Sequence, residues 1–311
     1  MHAAVVTSFG APPAYLPHPD PAVVRPGELV VDVVAAALHP RVRSQADGSH
    51  YSSTGTLPLV PGIDAVVRDA SGALRYALLD DTELGTMAER TVVEERRSVP
   101  LPANVDPVAV AAAMNPVMSS WVALRRRIRL PRRARVAVLG ATGNAGRMAI
   151  QVAKRFGARE VVAVGRTPER LAAVRPLGAD RVCAFDELGV AAADVDVVLD
   201  YVWGDATAAA MRAMISARAD RAAQLTWVQI GSVGGLDAPL PSAAFRAARL
   251  EVVGSGIGAV PARDFARELP AIAKAVSAGD FDIRARPVPL AEVAGVWEAS
   301  RGGDERIVFL P

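Results

Sequence analysis

The sequence is poor in cysteine and lysine. Cys183 is the single cysteine among 311 residues, and one thiol excludes both an intrachain disulfide and a metal site built from several thiolates. This composition suits a reducing compartment. Lysine occurs only as Lys154 and Lys274, so arginine carries the remaining positive charge, which we attribute to the composition of the source genome. The formal net charge of +2 excludes a dense basic tail.

Long apolar runs are missing as well. No stretch reaches the roughly 18 apolar residues that a membrane helix requires, and the N-terminus lacks the basic region and apolar run of a secretory signal. The shares of hydrophobic (51%) and charged (22%) residues are those of an ordinary globular protein. A chain of 311 residues is long enough for two domains. We therefore expect a cytoplasmic two-domain protein without a membrane partner.

The predicted secondary structure changes along the chain. Before residue 106, short valine-rich segments are separated by clusters of proline and glycine, which predicts strands and turns. An alanine-rich helix is then predicted to about residue 127, with Asn104 or Asp106 as its N-cap. Strands and helices alternate afterwards, and the continuous apolar runs at 195–201 and 226–230 are typical of strands buried on both faces of a parallel sheet. This alternation predicts a doubly wound α/β domain.

A glycine-rich turn connects the strand predicted at 135–139 to the helix after it. The turn carries the overlapping patterns GxxGxxG and AxGxxG, and it consists of Gly140, Ala141, Thr142, Gly143, Asn144, Ala145 and Gly146. Gly143 allows the backbone to approach a pyrophosphate, and Gly146 allows the helix to pack close to the strand. The helix N-terminus adds free N–H groups and a positive dipole. This placement between strand and helix predicts a dinucleotide site.

The end of the next predicted strand indicates which dinucleotide is bound. NAD-dependent enzymes place an acidic residue about 20 residues further on, where it accepts a hydrogen bond from the ribose 2′-hydroxyl. This chain has Gly165 and Arg166 there, and Arg170 follows one helical turn later. A guanidinium group can pair bidentately with a 2′-phosphate. We therefore predict NADPH as the cofactor, with a solvated surface arginine as the alternative interpretation of Arg166.

Six segments spread over essentially the whole chain carry a family resemblance. They are LHPRVRSQADGSHY, LPLVPGID, GTMAERTVV, VLGATGNAGRMAIQVAKRFGA, RPLGADRV and VQIGSVGG. They resemble the medium-chain dehydrogenase/reductase superfamily, and within it the zinc-free quinone oxidoreductase branch. The resemblance implies a Rossmann doubly wound parallel sheet at 116–258, which binds NADP(H) and is inserted in a β-rich GroES-like catalytic domain at 1–115 and 259–311. It also implies a cofactor in the cleft and a homodimer joined through the Rossmann domains.

Further cofactor contacts are expected beyond the glycine-rich turn. Ser119 stands where the family often has a cofactor-contacting threonine. Ligands bind at the carboxyl ends of strands in open α/β sheets. The residues expected there are Ile230, Gly231, Ser232, Ser255, Gly256 and Ile257. Tyr201 ends the fourth predicted strand of the domain, where cofactor contact and plain packing are both open.

The sequence departs from the zinc-dependent members of the family. Those members carry Gly-His-Glu where this chain has Gly62-Ile63-Asp64, and the catalytic cysteine expected near Leu38 is absent. A catalytic zinc requires three protein ligands, and the four histidines have no cysteine partner. We therefore expect no metal. Segment 66–87 is also short for the family, so the substrate entrance is expected to differ.

Two side chains of the first third are candidates for the chemistry. Tyr51 matches a family tyrosine and can stack on the acceptor or donate a proton, with simple packing as the alternative. His39 can donate to a developing oxyanion or bond the cofactor, and a hydrogen-bonded loop histidine without function is the alternative. Arg41 is a weaker candidate. In this branch no strong acid or base is obligatory, since a reduced quinone can take its proton from water.

The expected activity is that of an NADPH-dependent reductase, which transfers hydride to a quinone or a related activated carbonyl compound. One alternative is a reductase of α,β-unsaturated carbonyls or enoyl thioesters. Another is a non-catalytic NADPH-binding redox sensor. The arginine run at 125–135 lacks interleaved aromatic residues and lies at a helix end, where cations favour the helix dipole. We therefore interpret it as a solvated face and expect a small-molecule acceptor rather than a nucleic acid as the partner.

Overall fold

The computed structural model describes residues 1–303 and 305–311. It divides the chain into two compact units. The first unit comprises Met1–Asn115 and Leu269–Pro311, and the second comprises Pro116–Glu268.

The strands and helices have the following bounds. The strands are β1 His2–Val5, β2 Ala14–Pro17, β3 Glu28–Ala37, β4 Asp64–Arg68, β5 Leu74–Leu78, β6 Arg90–Glu94, β7 Ser98–Pro100, β8 Arg135–Leu139, β9 Glu160–Gly165, β10 Arg181–Ala184, β11 Val197–Asp200, β12 Leu225–Gln229, β13 Leu250–Gly254, β14 Ala285–Pro289 and β15 Arg306–Leu310. The α-helices are α1 Pro40–Ala46, α2 Pro107–Val122, α3 Asn144–Arg155, α4 Pro168–Ala172, α5 Leu188–Ala191, α6 Gly204–Ala217, α7 Ser242–Ala247, α8 Ala262–Ser277 and α9 Val293–Trp297.

The second unit contains a six-stranded, fully parallel sheet. Its spatial order is β10-β9-β8-β11-β12-β13, so the order reverses between β8 and β11. The four residues of β11 are all buried, as expected for a strand that is covered on both faces. The predicted Rossmann doubly wound sheet is therefore confirmed. Ligands of such sheets bind at the carboxyl ends of the strands beside the reversal point.

The first unit is built on a mainly antiparallel sheet. Its order is β14-β15-β3-β4-β5-β7, and β6 pairs with the other end of β3. β3 can pair with three neighbours because it is ten residues long and its register with β4 shifts between Val33 and Ala35. The last strand, β15, pairs with β3 and buries Phe309 completely. A C-terminal segment thus completes the sheet that the N-terminal segment begins.

The structure corrects several predicted elements. The stretch around Pro40 was not predicted as a helix, yet α1 forms there with proline at its first turn. Residues 290–297 form a 3₁₀ turn at Leu290–Glu292 followed by the short α9, rather than one continuous helix. Asp106 caps α2, because its Oδ1 accepts the N–H of Val108 at 2.9 Å. The short segment 66–87 overlaps the β4–β5 hairpin, which begins at Asp64.

One helical stretch qualifies as a membrane span by length and composition, contrary to the sequence prediction. Pro107–Arg127 has 21 residues and a mean hydropathy of 1.3. Counting unbroken apolar runs missed it because Asn115 and Ser119 interrupt the run. Of its most apolar window, 72% is buried inside the protein, as in a core helix of a globular protein. Its last turn, Ala123–Arg127, is a π-helix.

Candidate dinucleotide and substrate sites

The glycine-rich turn of the second unit leads from β8 into α3. Gly140 has a φ of +78°, which a side chain would disfavour, and its carbonyl accepts the N–H of Gly143 at 3.1 Å. Gly143 is the N-cap of α3, and the first turn of the helix contains no acidic residue. The free N–H groups at this helix end therefore face no competing carboxylate of their own turn. Such an end attracts an anion.

The two later glycines of the turn are required for different reasons. A Cβ added at Gly146 would lie 2.2 Å from the carbonyl oxygen of Gly140 and 2.6 Å from Cα of Ala141, so the protein's own packing excludes any side chain. A Cβ at Gly143 would meet only the Gly140 oxygen, at 3.6 Å, and its φ of −79° suits every residue type. Neither packing nor backbone conformation explains the glycine at 143. It leaves an open place at the helix N-terminus that fits a close phosphate.

The loops after β8, β11 and β12 pack against one another at the carboxyl edge of the sheet. A Cβ on Gly140 would lie 3.1 Å from Val202 after β11. Gly231, after β12, is equally constrained, since its Cβ would lie 2.8 Å from the carbonyl oxygen of Tyr201. The backbone N–H of Gly234 also donates to the Val202 carbonyl at 2.7 Å. The glycine-rich turn and the predicted contacts after β12 thus form one continuous surface.

Asp200 holds the loop after β11 in place. It ends the strand fully buried, and its Oδ1 accepts the backbone N–H groups of Val202 at 2.8 Å and Trp203 at 3.0 Å. Its Oδ2 accepts the Thr207 hydroxyl at 2.6 Å and the Trp227 indole N–H at 2.9 Å. Four donors therefore satisfy one buried carboxylate, as such a group requires.

The loop after β11 is strained at Trp203. The residue has φ +59° and ψ −165°, a region that essentially only glycine occupies. A side chain held there costs on the order of 1–3 kcal/mol. The two hydrogen bonds from the loop backbone to Asp200 maintain this conformation against the strain.

The Ser119 hydroxyl is hydrogen-bonded to residues of the second unit, to which Ser119 itself belongs. Its hydroxyl donates to the Pro116 carbonyl at 2.8 Å and is hydrogen-bonded to the Tyr201 hydroxyl at 3.1 Å. Burial raises the pKa of Tyr201 to about 12, so the phenol stays protonated at neutral pH. Tyr201 thus packs in the interior with its hydroxyl on Ser119.

Arg166 lies directly after β9, at the carboxyl edge of the sheet. It is exposed, and no hydrogen bond or ion pair joins it to residues 1–303 or 305–311. The preceding residue, Gly165, is buried against Thr142 of the glycine-rich turn. A Cβ added at Gly165 would lie 3.0 Å from Cγ2 of Thr142. The predicted spacing of one helical turn between Arg166 and Arg170 is wrong, because Arg166 precedes α4, which begins at Pro168. Arg170 is half-buried within α4.

The predicted residues after β12 and β13 lie side by side because these strands are neighbours. The N–H groups of Ile230 and Gly231 both donate to the Asp200 carbonyl, at 2.8 and 3.1 Å, and Ser232 follows them. The N–H of Ser255 donates to the Gln229 carbonyl at 2.8 Å. After Ser255 and Gly256, the side chain of Ile257 is 55% exposed. The structure therefore places this group on the same edge as the glycine-rich turn.

His39, in the first unit, belongs to a buried polar cluster. Its Nε2 lies 2.8 Å from Oδ1 of Asp64, and the other oxygen of Asp64 accepts the Tyr76 hydroxyl at 2.7 Å. A carboxylate only accepts, so Nε2 of His39 carries the hydrogen. Nδ1 is buried and has no partner among the described residues. Arg306 lies buried nearby and donates to the Leu38 carbonyl at 3.0 Å.

This geometry corrects the predicted role of His39. Burial lowers the pKa of His39 more than the carboxylate of Asp64 raises it, so the ring is neutral at pH 7. Its one N–H is committed to Asp64, and its second nitrogen offers only a lone pair. His39 is therefore an acceptor of hydrogen bonds rather than a proton donor to an oxyanion.

The protein should lose stability in acid partly through His39. Its pKa is lower in the folded chain than the value of about 6.5 in an unfolded chain, so unfolding takes up a proton. The stability is complete above about pH 6.5 and falls as the pH drops toward the folded pKa. We expect His39→Gln to reduce the slope of unfolding free energy against pH below 6.5, measured by denaturant titration.

An unchanged slope in the His39 variant would contradict the predicted protonation state. Burial also lowers the pKa of His50 to about 4, so His50 should supply part of the remaining slope.

Tyr51 lies on an exposed loop of the first unit. Its side chain is 77% exposed, and its ring lies on that of His50 with 4.1 Å between centroids. The neighbouring Ser52 is hydrogen-bonded to His50 Nδ1 at 2.7 Å and donates to Asp81. Asp81 also pairs with Arg41. This chain of contacts anchors the loop beside Tyr51 to the segment after β5.

Several side chains of the arginine run form ion pairs and hydrogen bonds that the sequence did not predict. Arg125 and Arg126 pair with Glu268, a buried carboxylate that also accepts the Trp121 indole N–H at 2.8 Å. Arg127 donates to the Gly254 carbonyl at 2.7 Å. These contacts are internal to the second unit and account for several of the charges. The interpretation as a purely solvated face is therefore corrected for these three residues.

Sequence reasoning missed Asp200, Trp203 and Tyr76. Asp200 had a usable signal, since it is an acid that ends an otherwise apolar strand at the sheet's carboxyl edge. The backbone strain of Trp203 and the pairing of Tyr76 with Asp64 depend on tertiary contacts, and the local sequence gave no signal for either.

Comparisons with known proteins decide the family. The chain is 31% identical over 360 residues to the probable NADPH-dependent quinone reductase tdiC of Emericella nidulans, and 100% of both chains is covered. The chain belongs to the medium-chain dehydrogenase/reductase superfamily, in its quinone oxidoreductase-like branch. A family model described as zinc-binding dehydrogenase also matches residues 145–274. The predicted family membership is thus confirmed.

A partial relative agrees with this assignment, and solved structures show the same fold. The chloroplastic NADPH-dependent alkenal/one oxidoreductase of Arabidopsis thaliana is 32% identical over 174 residues, which are 50% of this chain and 45% of that protein. The quinone oxidoreductase of Thermus thermophilus superposes with a TM-score of 0.85 at 24% identity over 100% of both chains. A mycobacterial quinone oxidoreductase superposes with a TM-score of 0.83 at 19% identity over 100% of both chains. These structural matches establish the fold.

A zinc ion, which the name of the matching family model suggests, does not fit the residues at Gly62–Asp64. Both oxygens of Asp64 accept hydrogen bonds from neighbours, and Ile63 has no donor atom for a metal. Within residues 1–303 and 305–311, no group of three or more His, Cys, Asp or Glu could hold a metal ion. A catalytic zinc needs three such ligands.

Proposed function

We propose that the protein is an NADPH-dependent reductase, which transfers hydride to a quinone or a related activated carbonyl compound without a metal. The observation that carries the proposal is the open place at Gly143 on the N-terminus of α3, on the same sheet edge as the exposed and unpaired Arg166. The first feature suits a pyrophosphate and the second a 2′-phosphate. The name of the full-length relative includes the same cofactor and acceptor.

The second unit supplies the residues that would hold the cofactor. The backbone of the turn from Ala141 to Gly146 would receive the pyrophosphate, and Arg166, with Arg170 close in sequence, the 2′-phosphate. Ser119 and the predicted residues after β12 and β13 would line the remaining length. When bound, NADPH supplies the hydride, so the protein contributes position and electrostatics.

Tyr51 is the candidate side chain for contact with the acceptor. The exposed ring of Tyr51 can stack on a planar acceptor, and its hydroxyl can donate a proton. No step requires a metal or a strong acid, because water can protonate a reduced quinone.

A reductase of α,β-unsaturated carbonyls or enoyl thioesters is the second candidate. The partial relative from Arabidopsis, named an alkenal/one oxidoreductase, favours it. This reaction needs a proton donor near the α-carbon, and Tyr51 is the available group. The third candidate is an NADPH-binding redox sensor without turnover.

The test is NADPH oxidation by the purified protein with a panel of quinones, enones and enoyl thioesters. We expect tight, NADPH-selective binding and turnover with quinones. Tyr51→Phe should leave quinone turnover within about threefold and abolish enone turnover, since only the latter needs the phenolic proton. Tight binding without turnover of any acceptor would replace the reductase by the sensor, and no binding of NADPH would remove the proposal.

We also propose a cytoplasmic homodimer joined through the second unit, with no nucleic-acid partner. β13 supports the interface, because it is the edge strand of the parallel sheet and its residues are exposed or half-buried. The internal engagement of Arg125, Arg126 and Arg127 weakens a nucleic-acid interpretation. A monomer mass in sedimentation equilibrium at micromolar concentration would contradict the dimer.

A further inference from the structure

Trp203 occupies a backbone conformation that glycine alone adopts without strain. Its φ of +59° and ψ of −165° are enforced by the hydrogen bonds from the loop to Asp200. Gly204, the next residue, has a φ of +71° and is held against the Gly234 carbonyl, so the loop has no freedom to relax. Glycine at position 203 would remove the strain, and the chain nevertheless carries its largest side chain there.

Trp203 is also the tryptophan that is not buried. Trp121, Trp227 and Trp297 have relative exposures of 3%, 0% and 3%, whereas Trp203 is half-buried. Core packing therefore explains the other three and does not account for Trp203 fully. Strained residues cluster at ligand sites, where the surrounding structure holds them in place for a function.

The position of Trp203 in the sheet indicates which part of the cofactor its side chain would contact. β8, β9 and β10 form the first half of the sheet. Because Arg166 follows β9, the 2′-phosphate of the adenosine nucleotide would bind at this half. A Rossmann sheet holds the two nucleotides of the cofactor on its two halves. β11 begins the second half, and its loop packs against the glycine-rich turn through Val202 and Gly140. The loop that carries Trp203 therefore borders the nicotinamide nucleotide.

We propose that the indole of Trp203 packs against the nicotinamide nucleotide of the bound cofactor, and that the strained loop is retained to present it there. This inference rests on the proposed function, because it requires that the second unit binds NADPH. Asp200 acts through the loop backbone and is a positioning residue, whereas the indole makes the contact. An aromatic face of this size adds affinity by stacking or edge contact.

Three substitutions at position 203 distinguish the effect of the aromatic ring from the effect of the backbone strain. Trp203→Phe keeps an aromatic ring and the strained backbone, Trp203→Ala keeps only the strain, and Trp203→Gly removes both. Calorimetry would measure the affinity of each variant for NADPH and for adenosine 2′,5′-bisphosphate, a fragment that lacks the nicotinamide nucleotide. Thermal unfolding without ligand would report the strain.

We expect the affinity for NADPH to depend on the presence of an aromatic ring at position 203. It should fall about tenfold in Trp203→Ala and Trp203→Gly and stay within about threefold in Trp203→Phe, as for the loss of one stacking contact. All variants should bind the bisphosphate fragment like the wild type. The unfolding temperature should rise above the wild-type value only in Trp203→Gly, which shows that lost affinity does not arise from lost folding.

Two outcomes would overturn the proposal while the proposed function stands. One is wild-type affinity of Trp203→Ala for NADPH, which would mean that the ring does not contact the cofactor. The other is an equal loss of affinity for the bisphosphate fragment, which would place the effect outside the nicotinamide nucleotide. A wild-type protein that binds neither NADPH nor the fragment would instead remove the proposed function, and the present proposal with it.

Discussion

Gly143→Ala should abolish tight NADPH binding and leave the fold intact. The added Cβ meets only the Gly140 oxygen, at 3.6 Å, and the backbone at φ −79° accepts alanine, so the free protein has little reason to unfold. Alanine is a poorer N-cap than glycine, which costs less than about 1 kcal/mol. The methyl group would occupy the place of the close phosphate. We expect the Kd for NADPH to rise about 100-fold, roughly 3 kcal/mol, measured by calorimetry.

Gly146→Ala provides the contrast to this prediction. Its Cβ would lie 2.2 Å from a backbone oxygen, which only movement of α3 away from the turn can relieve. We expect a loss of about 3 kcal/mol of unfolding free energy, in the range of severe core overpacking. One glycine thus serves the ligand and the other the fold. Wild-type NADPH affinity in Gly143→Ala would mean that the phosphate binds elsewhere.

Arg166→Ala should remove the preference for NADPH over NADH. A charge-assisted pair of a guanidinium with a phosphate contributes about 1.5–3 kcal/mol, so the Kd for NADPH should rise roughly 10- to 150-fold. The Kd for NADH should stay within about threefold, because NADH offers no 2′-phosphate. Titration of the two cofactors by calorimetry at fixed ionic strength measures both values, and salt should weaken the NADPH complex more than the NADH complex.

Arg159 gives a matched control for this prediction. It is also an exposed arginine next to β9, but it precedes the amino end of the strand, away from the carboxyl edge where ligands bind. Arg159→Ala should therefore bind both cofactors like the wild type. An equal loss of NADPH and NADH affinity in Arg166→Ala would contradict the assignment of Arg166 to the 2′-phosphate.

The features on which the proposed cofactor site rests are visible in the sequence. Gly143, Gly146 and Arg166 carry their meaning in local order, since each follows a strand at a fixed spacing and parallel strands bring their carboxyl ends together. The apolar run at 195–201 identified β11, because this signal too depends only on residues close together in the chain. The comparisons confirm the family that these motifs indicated.

The roles of single side chains were harder to predict. His39 could be named as a candidate, but its role changed once Asp64 and Tyr76 were seen to surround it, because a proton's place depends on partners 25 and more residues away. The helix α1 was missed because it is only seven residues long and its burial is set by the neighbouring strands. Ser119 was placed at the site by resemblance, and the structure gives its hydroxyl to Pro116 and Tyr201.

The alternation of strands and helices, the glycine-rich turn and the absence of an acid after β9 can all be read from the sequence alone. These features depend on residues close together in the chain, where periodicity, glycine and charge act directly. The tertiary structure alone decided which glycine is free to meet a ligand, which nitrogen of His39 carries hydrogen, and that Trp203 is held in a glycine conformation by Asp200. The reason is that close approach, burial and hydrogen-bond partners arise only when distant segments pack together.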